Sequence, residues 1–170
     1  FMEALPDIQA LADCEEEELL KLWEGLGYYN RVRNMQIAAR TVIEEYGGKL
    51  PDDYQELQKL KGIGSYTAGA IASIAYGKVA PAVDGNVLRV ISRVTLSRED
   101  ILKQSVKRSM EQEIAAIMPV NRPGAFNQAL MELGAMVCVP NGEPHCEVCP
   151  LKELCLARKK GVVDEIPVKK

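Results

Sequence analysis

The stretch Leu60-Lys-Gly-Ile-Gly-Ser-Tyr-Thr-Ala-Gly-Ala-Ile71 limits the fold more than any other part of the chain. Gly62 and Gly64 bracket one apolar residue, and small helix formers then run on to Ala75. That order predicts a helix, a tight hairpin and a second helix, because glycine takes the backbone conformations that a short hairpin requires. Between Thr67 and Ala75 nearly every residue is Ala, Gly, Ser or Ile, so neighbouring helices can approach closely and this helix is expected to be central and buried. A glycine-lined hairpin at a helix start exposes backbone N–H groups where the helix dipole is positive, an end suited to a phosphate. Taken alone, a Gly-x-Gly pair is ordinary turn chemistry.

The remaining segments read as helices. Asp7 and Asp13 stand where N-caps belong, ahead of Ile8–Ala12 and of the run Glu15 to Trp23, whose four leading glutamates favour a helix start. After Gly25-Leu-Gly27, residues Tyr28, Val32, Met35, Ala39, Val42 and Tyr46 recur at spacings of four and three and predict one buried helix face ending at Gly47-Gly48. Arg31 and Arg33 fall off that face. A short helix is expected from Asp53 through Leu60, and further helices follow with Val87, Val90, Ile91 and Val94, with Leu102, Val106, Met110, Ile114 and Ile117, and with Phe126, Leu130, Leu133 and Val137 inward. No alternating strand pattern of useful length appears, so the fold class is all-α.

Composition is that of an ordinary globular chain, 47% hydrophobic and 26% charged, with no run apolar enough to span a membrane and no basic-then-apolar leader. A cytoplasmic, reducing setting is the default expectation. The net charge of -3 speaks mildly against a nucleic-acid partner, but the charge is uneven. Eight acids stand against Lys21 between Phe1 and Glu24; between Tyr54 and Arg98, Lys59, Lys61, Lys78, Arg89, Arg93 and Arg98 stand against Glu56 and Asp84. The basic excess coincides with the hairpin, where a phosphate-reading surface would need it.

Cys138, Cys146, Cys149 and Cys155 are spaced C-x7-C-x2-C-x5-C, and the only other cysteine is Cys14, which reads as a small buried or surface residue. Four thiols this close, in a chain without secretory features, point to metal ligands rather than disulfides. Structural zinc usually takes two separated C-x2-C hooks, whereas a compact spread with one tight pair can wrap an iron–sulfur cube; spacing leans towards the cube and leaves zinc open. His145 reads as a bystander, since four thiolates complete a site.

Taken together, Gly25-Leu-Gly-Tyr-Tyr29, the hairpin stretch, Val83-Asp-Gly-Asn-Val-Leu-Arg-Val90, Phe126-Asn-Gln-Ala-Leu-Met-Glu-Leu-Gly-Ala135 and the four-cysteine loop resemble the MutY family of adenine DNA glycosylases, within the helix–hairpin–helix superfamily that includes endonuclease III. The resemblance covers nearly the whole chain. It implies a two-lobed, monomeric enzyme that removes adenine mispaired with 8-oxoguanine or guanine from double-stranded DNA bound across a cleft. One lobe, residues 1–82, would be a helical barrel with the hairpin, and the other, residues 83–170, would hold a [4Fe-4S] cluster on Cys138, Cys146, Cys149 and Cys155. Asp84 matches the catalytic aspartate and Asn86 an active-site amide. Lys61, Gly62, Ile63, Gly64 and Ser65 would grip the DNA backbone. Tyr66 stands where bifunctional relatives carry a catalytic lysine, so no Schiff base and no strand cleavage by that route is expected.

The first cysteine gap is one residue longer than the family's usual six, with Asn141-Gly142 available to turn. The family's general-acid glutamate would lie on a helix ahead of Phe1, and its 8-oxoguanine-reading domain would follow Lys170. The chain is accordingly expected to be a core fragment with little adenine-excising activity. Two other readings are an endonuclease III-like glycosylase for oxidised pyrimidines and a non-catalytic iron–sulfur DNA-binding module.

Overall fold

The computed structural model describes residues 1–170 and is helical throughout, with one isolated bridge between Asp100 and Val168 in place of any strand. No helix is long and apolar enough to cross a membrane. Contacts divide the chain into two compact units, Phe1–Gly64 and Ser65–Lys170, ahead of the Ala82 boundary that the resemblance carries.

In the first unit α1 (Ile8–Asp13) and α2 (Glu16–Leu22) pack on the long α3 (Tyr29–Glu45). Asp7 caps α1 by accepting from the Ala10 N–H at 2.8 Å. Asp13 does not cap α2: it ends α1 and accepts from Gln9, and α2 begins after Glu15 without a side-chain cap. A core of Leu5, Cys14, Leu19 and Val32 closes the helix junction, which settles Cys14 as a buried small residue. The end of α1 leaves carbonyls that α3 satisfies, for Gln36 Nε2 donates to Leu11 O and Cys14 O and Arg40 Nε donates to Ala12 O. The buried face of α3 is Val32, Gln36, Ala38, Ala39 and Val42. Tyr28 and Met35 are exposed rather than inward; Tyr28 precedes the helix, in the left-handed region at φ 48°.

The hairpin leaves α4 (Tyr54–Leu57), which ends one turn earlier than the spacing predicts and is capped by Asp53. Gly62 has φ +80°, and a Cβ there would stand 2.9 Å from Asn34 Cβ, so both conformation and space call for glycine.

The second unit opens with α5 (Ser65–Ala70), which continues as a π-helical turn, Ile71–Ala75. Ala68, Gly69, Ala72 and Ser73 are buried. A Cβ at Gly69 would fall 2.0 Å from Pro81 O and one at Gly124 would fall 2.7 Å from Ser73 O, so the small residues do permit close approach. The helices α6 (Gly85–Thr95), α7 (Gln104–Ile117) and α8 (Pro123–Glu132, continued by a π turn to Val137) share one core with Val87, Val90, Val106, Met110, Ile114, Leu130 and Leu133 at its centre. Leu102 and Ile117, expected inward, are 66% and 65% exposed, the first in the turn ahead of α7 and the second at its last residue. The short α9 (Leu156–Lys160) packs on α6.

Candidate active site

The start of α6 carries two of the side chains singled out in the sequence, Asp84 and Asn86. Asp84 is its N-cap, with Oδ1 accepting from the Val87 N–H at 2.8 Å and Oδ2 accepting from Asn86 Nδ2 at 3.0 Å. Capping and an active-site role are compatible here, because each oxygen takes one of these bonds while the residue stays half-exposed. Tyr66, near the start of α5, is half-buried with its hydroxyl 3.5 Å from Met131 Sδ. Burial pushes its phenol above the usual range, and the nearby Asp84 carboxylate adds to the shift. Of the sequence-derived trio Tyr66, Asp84 and Asn86, the last two are in direct hydrogen bond, and Tyr66 lies in the same unit against Met131.

Asn86 is fixed in turn. Its Oδ1 accepts from Arg89 Nη2 at 2.9 Å, and the same guanidinium donates to Gly134 O at 2.6 Å and, through Nε, to Cys138 O at 2.8 Å. One turn on, Arg93 donates to Ile166 O, to Val139 O and to Cys138 Sγ, the last at 3.2 Å. Arg89 and Arg93 are 7% and 6% exposed. Both belong to the basic excess that sequence places near the hairpin, yet both are buried and not on a phosphate-reading surface. Burial lowers the Arg89 pKa, and the Cys138 thiol beside it works the other way. The signal for this lies in the spacing: Asn86, Arg89 and Arg93 are three and four residues apart, a stripe of polar side chains along one side of α6.

Cys138, Cys146, Cys149 and Cys155 line one cavity with Val90, Arg93 and Leu133. No three His, Cys, Asp or Glu side chains converge closely enough to hold a single ion. The Cys146 thiol is pushed up, first by burial and then by the other three cysteines. His145 is exposed, and Gly142 takes φ +76° in the turn that accommodates the longer first gap. Of the hairpin residues, Lys61, Gly62 and Gly64 are exposed, while Ile63 and Ser65 are half-buried. Exposed Tyr28, 81% accessible with Arg31 5.5 Å over its ring, escaped the sequence reading because its spacing matched a helix face.

A helix–hairpin–helix leading into a capped aspartate defines a DNA-glycosylase type of fold, and comparison with known proteins agrees. A family profile described as HhH-GPD superfamily base excision DNA repair protein matches residues 1–116, and the chain belongs to that superfamily. It is 47% identical over 161 residues to the adenine DNA glycosylase of Homo sapiens, covering 94% of this chain and 29% of that protein. It is 35% identical over 169 residues to the adenine DNA glycosylase of Buchnera aphidicola subsp. Acyrthosiphon pisum, covering 99% of this chain and 48% of that protein. The chain thus spans less than half the length of these relatives. Among solved structures it superposes on a thermostable thymine-DNA glycosylase with TM-score 0.82 at 28% identity, and on endonuclease III in a non-covalent DNA complex with TM-score 0.78 at 31% identity. Each covers 94% of this chain and 73% of the matched one.

Proposed function

We propose that this chain is the core of an adenine DNA glycosylase that hydrolyses the N-glycosidic bond of adenine mispaired with 8-oxoguanine or guanine in double-stranded DNA, working as a monomer on cytoplasmic DNA. The observation that carries the reading is the Asp84 carboxylate, half-exposed and held at both oxygens at the start of α6. An enzyme that removes a base from a duplex takes the nucleotide out of the stack. Breaking the glycosidic bond then builds positive charge on the sugar, and a fixed carboxylate stabilises that oxocarbenium-like state. Asn86 orients the carboxylate through its 3.0 Å bond. Tyr66, lacking an amine, bounds the site without offering an imine route.

Phosphate contacts fall to Lys61, Gly62, Ile63, Gly64 and Ser65, which lead into the start of α5 where the helix dipole is positive. Exposed Tyr28, held out by left-handed backbone, is suited to stacking on a base.

Cys138, Cys146, Cys149 and Cys155 line one cavity, and four thiols at this compact spacing with one tight pair suit a [4Fe-4S] cluster more than zinc. The buried guanidiniums of Arg89 and Arg93 find carbonyls, the Asn86 amide and the Cys138 sulfur as partners, so a thiolate set beside them supplies the negative charge that buried cations need. Such a cluster would brace the 138–155 loop.

A single-turnover assay of the full-length protein on duplexes carrying A:8-oxoguanine, A:G or an oxidised pyrimidine tests the substrate. Excision of adenine alone is expected; excision of the oxidised pyrimidine instead would favour the endonuclease III-like reading, and binding without excision would favour a non-catalytic module.

A further inference from the structure

Asn127, on α8, is completely buried at 0% exposure. Its carboxamide is engaged on both sides: Nδ2 donates to Ser73 Oγ and to Ala80 O, each at 2.8 Å, and Oδ1 accepts from the Ala82 N–H at 3.3 Å. Two of those partners are main-chain groups of one irregular segment, Ala80-Pro81-Ala82, which leads into α6 outside any helix. Ala80 and Ala82 are 3% and 1% exposed, so these backbone groups are cut off from water and need an internal partner. The third partner, Ser73, sits in the π-helical turn after α5.

The same segment is confined on another side. A Cβ on Gly69 would fall 2.0 Å from Pro81 O, so the segment is pressed against α5, while at Gly124 a Cβ would fall 2.7 Å from Ser73 O, bringing α8 close to that backbone too. Only Val83, itself fully buried, separates the clamped Ala82 from Asp84. A shift of Ala82 has no slack to absorb it before it reaches the carboxylate. A carboxamide also offers donor and acceptor from one planar group, which neither an apolar side chain of like volume nor a carboxylate does.

We infer that Asn127 is a positioning residue for Asp84, setting where the carboxylate stands by clamping the segment that delivers it. The inference rests on the reading of Asp84 as the group that faces the sugar.

The test uses the full-length protein and a duplex with one mispaired adenine, under single turnover, reading rate constant, amplitude and DNA affinity separately. Asn127→Asp keeps the shape but loses the donors, and Ser73→Ala removes one partner more gently. The rate constant is expected to fall roughly tenfold or more in Asn127→Asp and roughly threefold in Ser73→Ala, with DNA affinity unchanged within about twofold. A role confined to folding would lower the amplitude and leave the rate constant of the reacting molecules alone. Should Asn127→Asp fail to fold, Ser73→Ala decides. Unchanged rate constants beside a dead Asp84→Asn would overturn the inference while sparing the reading of Asp84; an active Asp84→Asn would overturn both.

Discussion

Arg89 joins the Asn86 side chain to the backbone carbonyl of Cys138 through a single guanidinium, with bonds of 2.9 and 2.8 Å. Asn86 in turn holds Asp84, so a continuous hydrogen-bonded path runs from the carboxylate to the first cysteine of the 138–155 loop. The fork geometry of arginine is what spans two acceptors on different elements. Arg89→Ala leaves the Asn86, Gly134 and Cys138 acceptors without that donor and is expected to cost about 2–4 kcal/mol in denaturant unfolding. Arg89→Lys should recover only part of the loss, because a point ammonium does not reproduce the fork.

The packing of α5 against the Ala80–Ala82 segment makes a sharper demand. Gly69→Ala puts a methyl 2.0 Å from Pro81 O, where backbone rather than a flexible side chain must yield. A destabilisation of about 3 kcal/mol or more is expected. Gly85→Ala, with nothing within 4 Å of the added carbon, should melt within a few degrees of the parent. Thermal melts of the two variants side by side check the contrast.

Asp100 predicts a pH dependence. The Leu102 N–H, 3.0 Å away, is the first cause holding its carboxyl below the usual carboxylate range, desolvation opposes it, and the Lys170 N–H and nearby lysines add to the lowering. A folded-state pKa below the unfolded one gives stability that is fully present above the unfolded value of about 3.9 and is lost as pH falls through the lowered folded value. Asp100→Asn should therefore flatten the acid limb of stability between about pH 5 and pH 2, measured by urea midpoints at stepped pH. An unchanged acid limb would show that Asp100 contributes nothing there.

Removal of one thiol addresses the cluster. Cys146→Ser in the full-length protein is expected to lower bound iron and the broad visible absorption of an iron–sulfur centre together. Zinc in place of iron, with no visible band in the parent protein, would contradict the assignment.

Much of this was legible in the sequence, for stated reasons. The hairpin, the small-residue helix after it and the cap at Asp7 depend on local chemistry, which sequence displays directly, although the cap expected at Asp13 is not made. The cysteine grouping was legible because thiols so close in sequence have few other uses. What escaped were several of the inward polar side chains. Gln36, Arg89, Arg93 and Asn127 look like surface residues in a hydrophobicity pattern, and their partners are distant carbonyls that only the tertiary arrangement supplies. Tyr28 failed in the opposite sense, since helical spacing cannot reveal that the residue stands just before the helix in left-handed backbone.

The most direct test of the central claim is the single-turnover rate of Asp84→Asn in the full-length protein on an A:8-oxoguanine duplex, with DNA affinity measured in parallel. Asparagine can still cap α6 through its side-chain oxygen, so fold and binding should persist. The account predicts a rate lowered by roughly a thousandfold or more with affinity nearly intact, as expected when fixed charge opposite a developing cation is removed. A variant that excises adenine at close to the parent rate would contradict it.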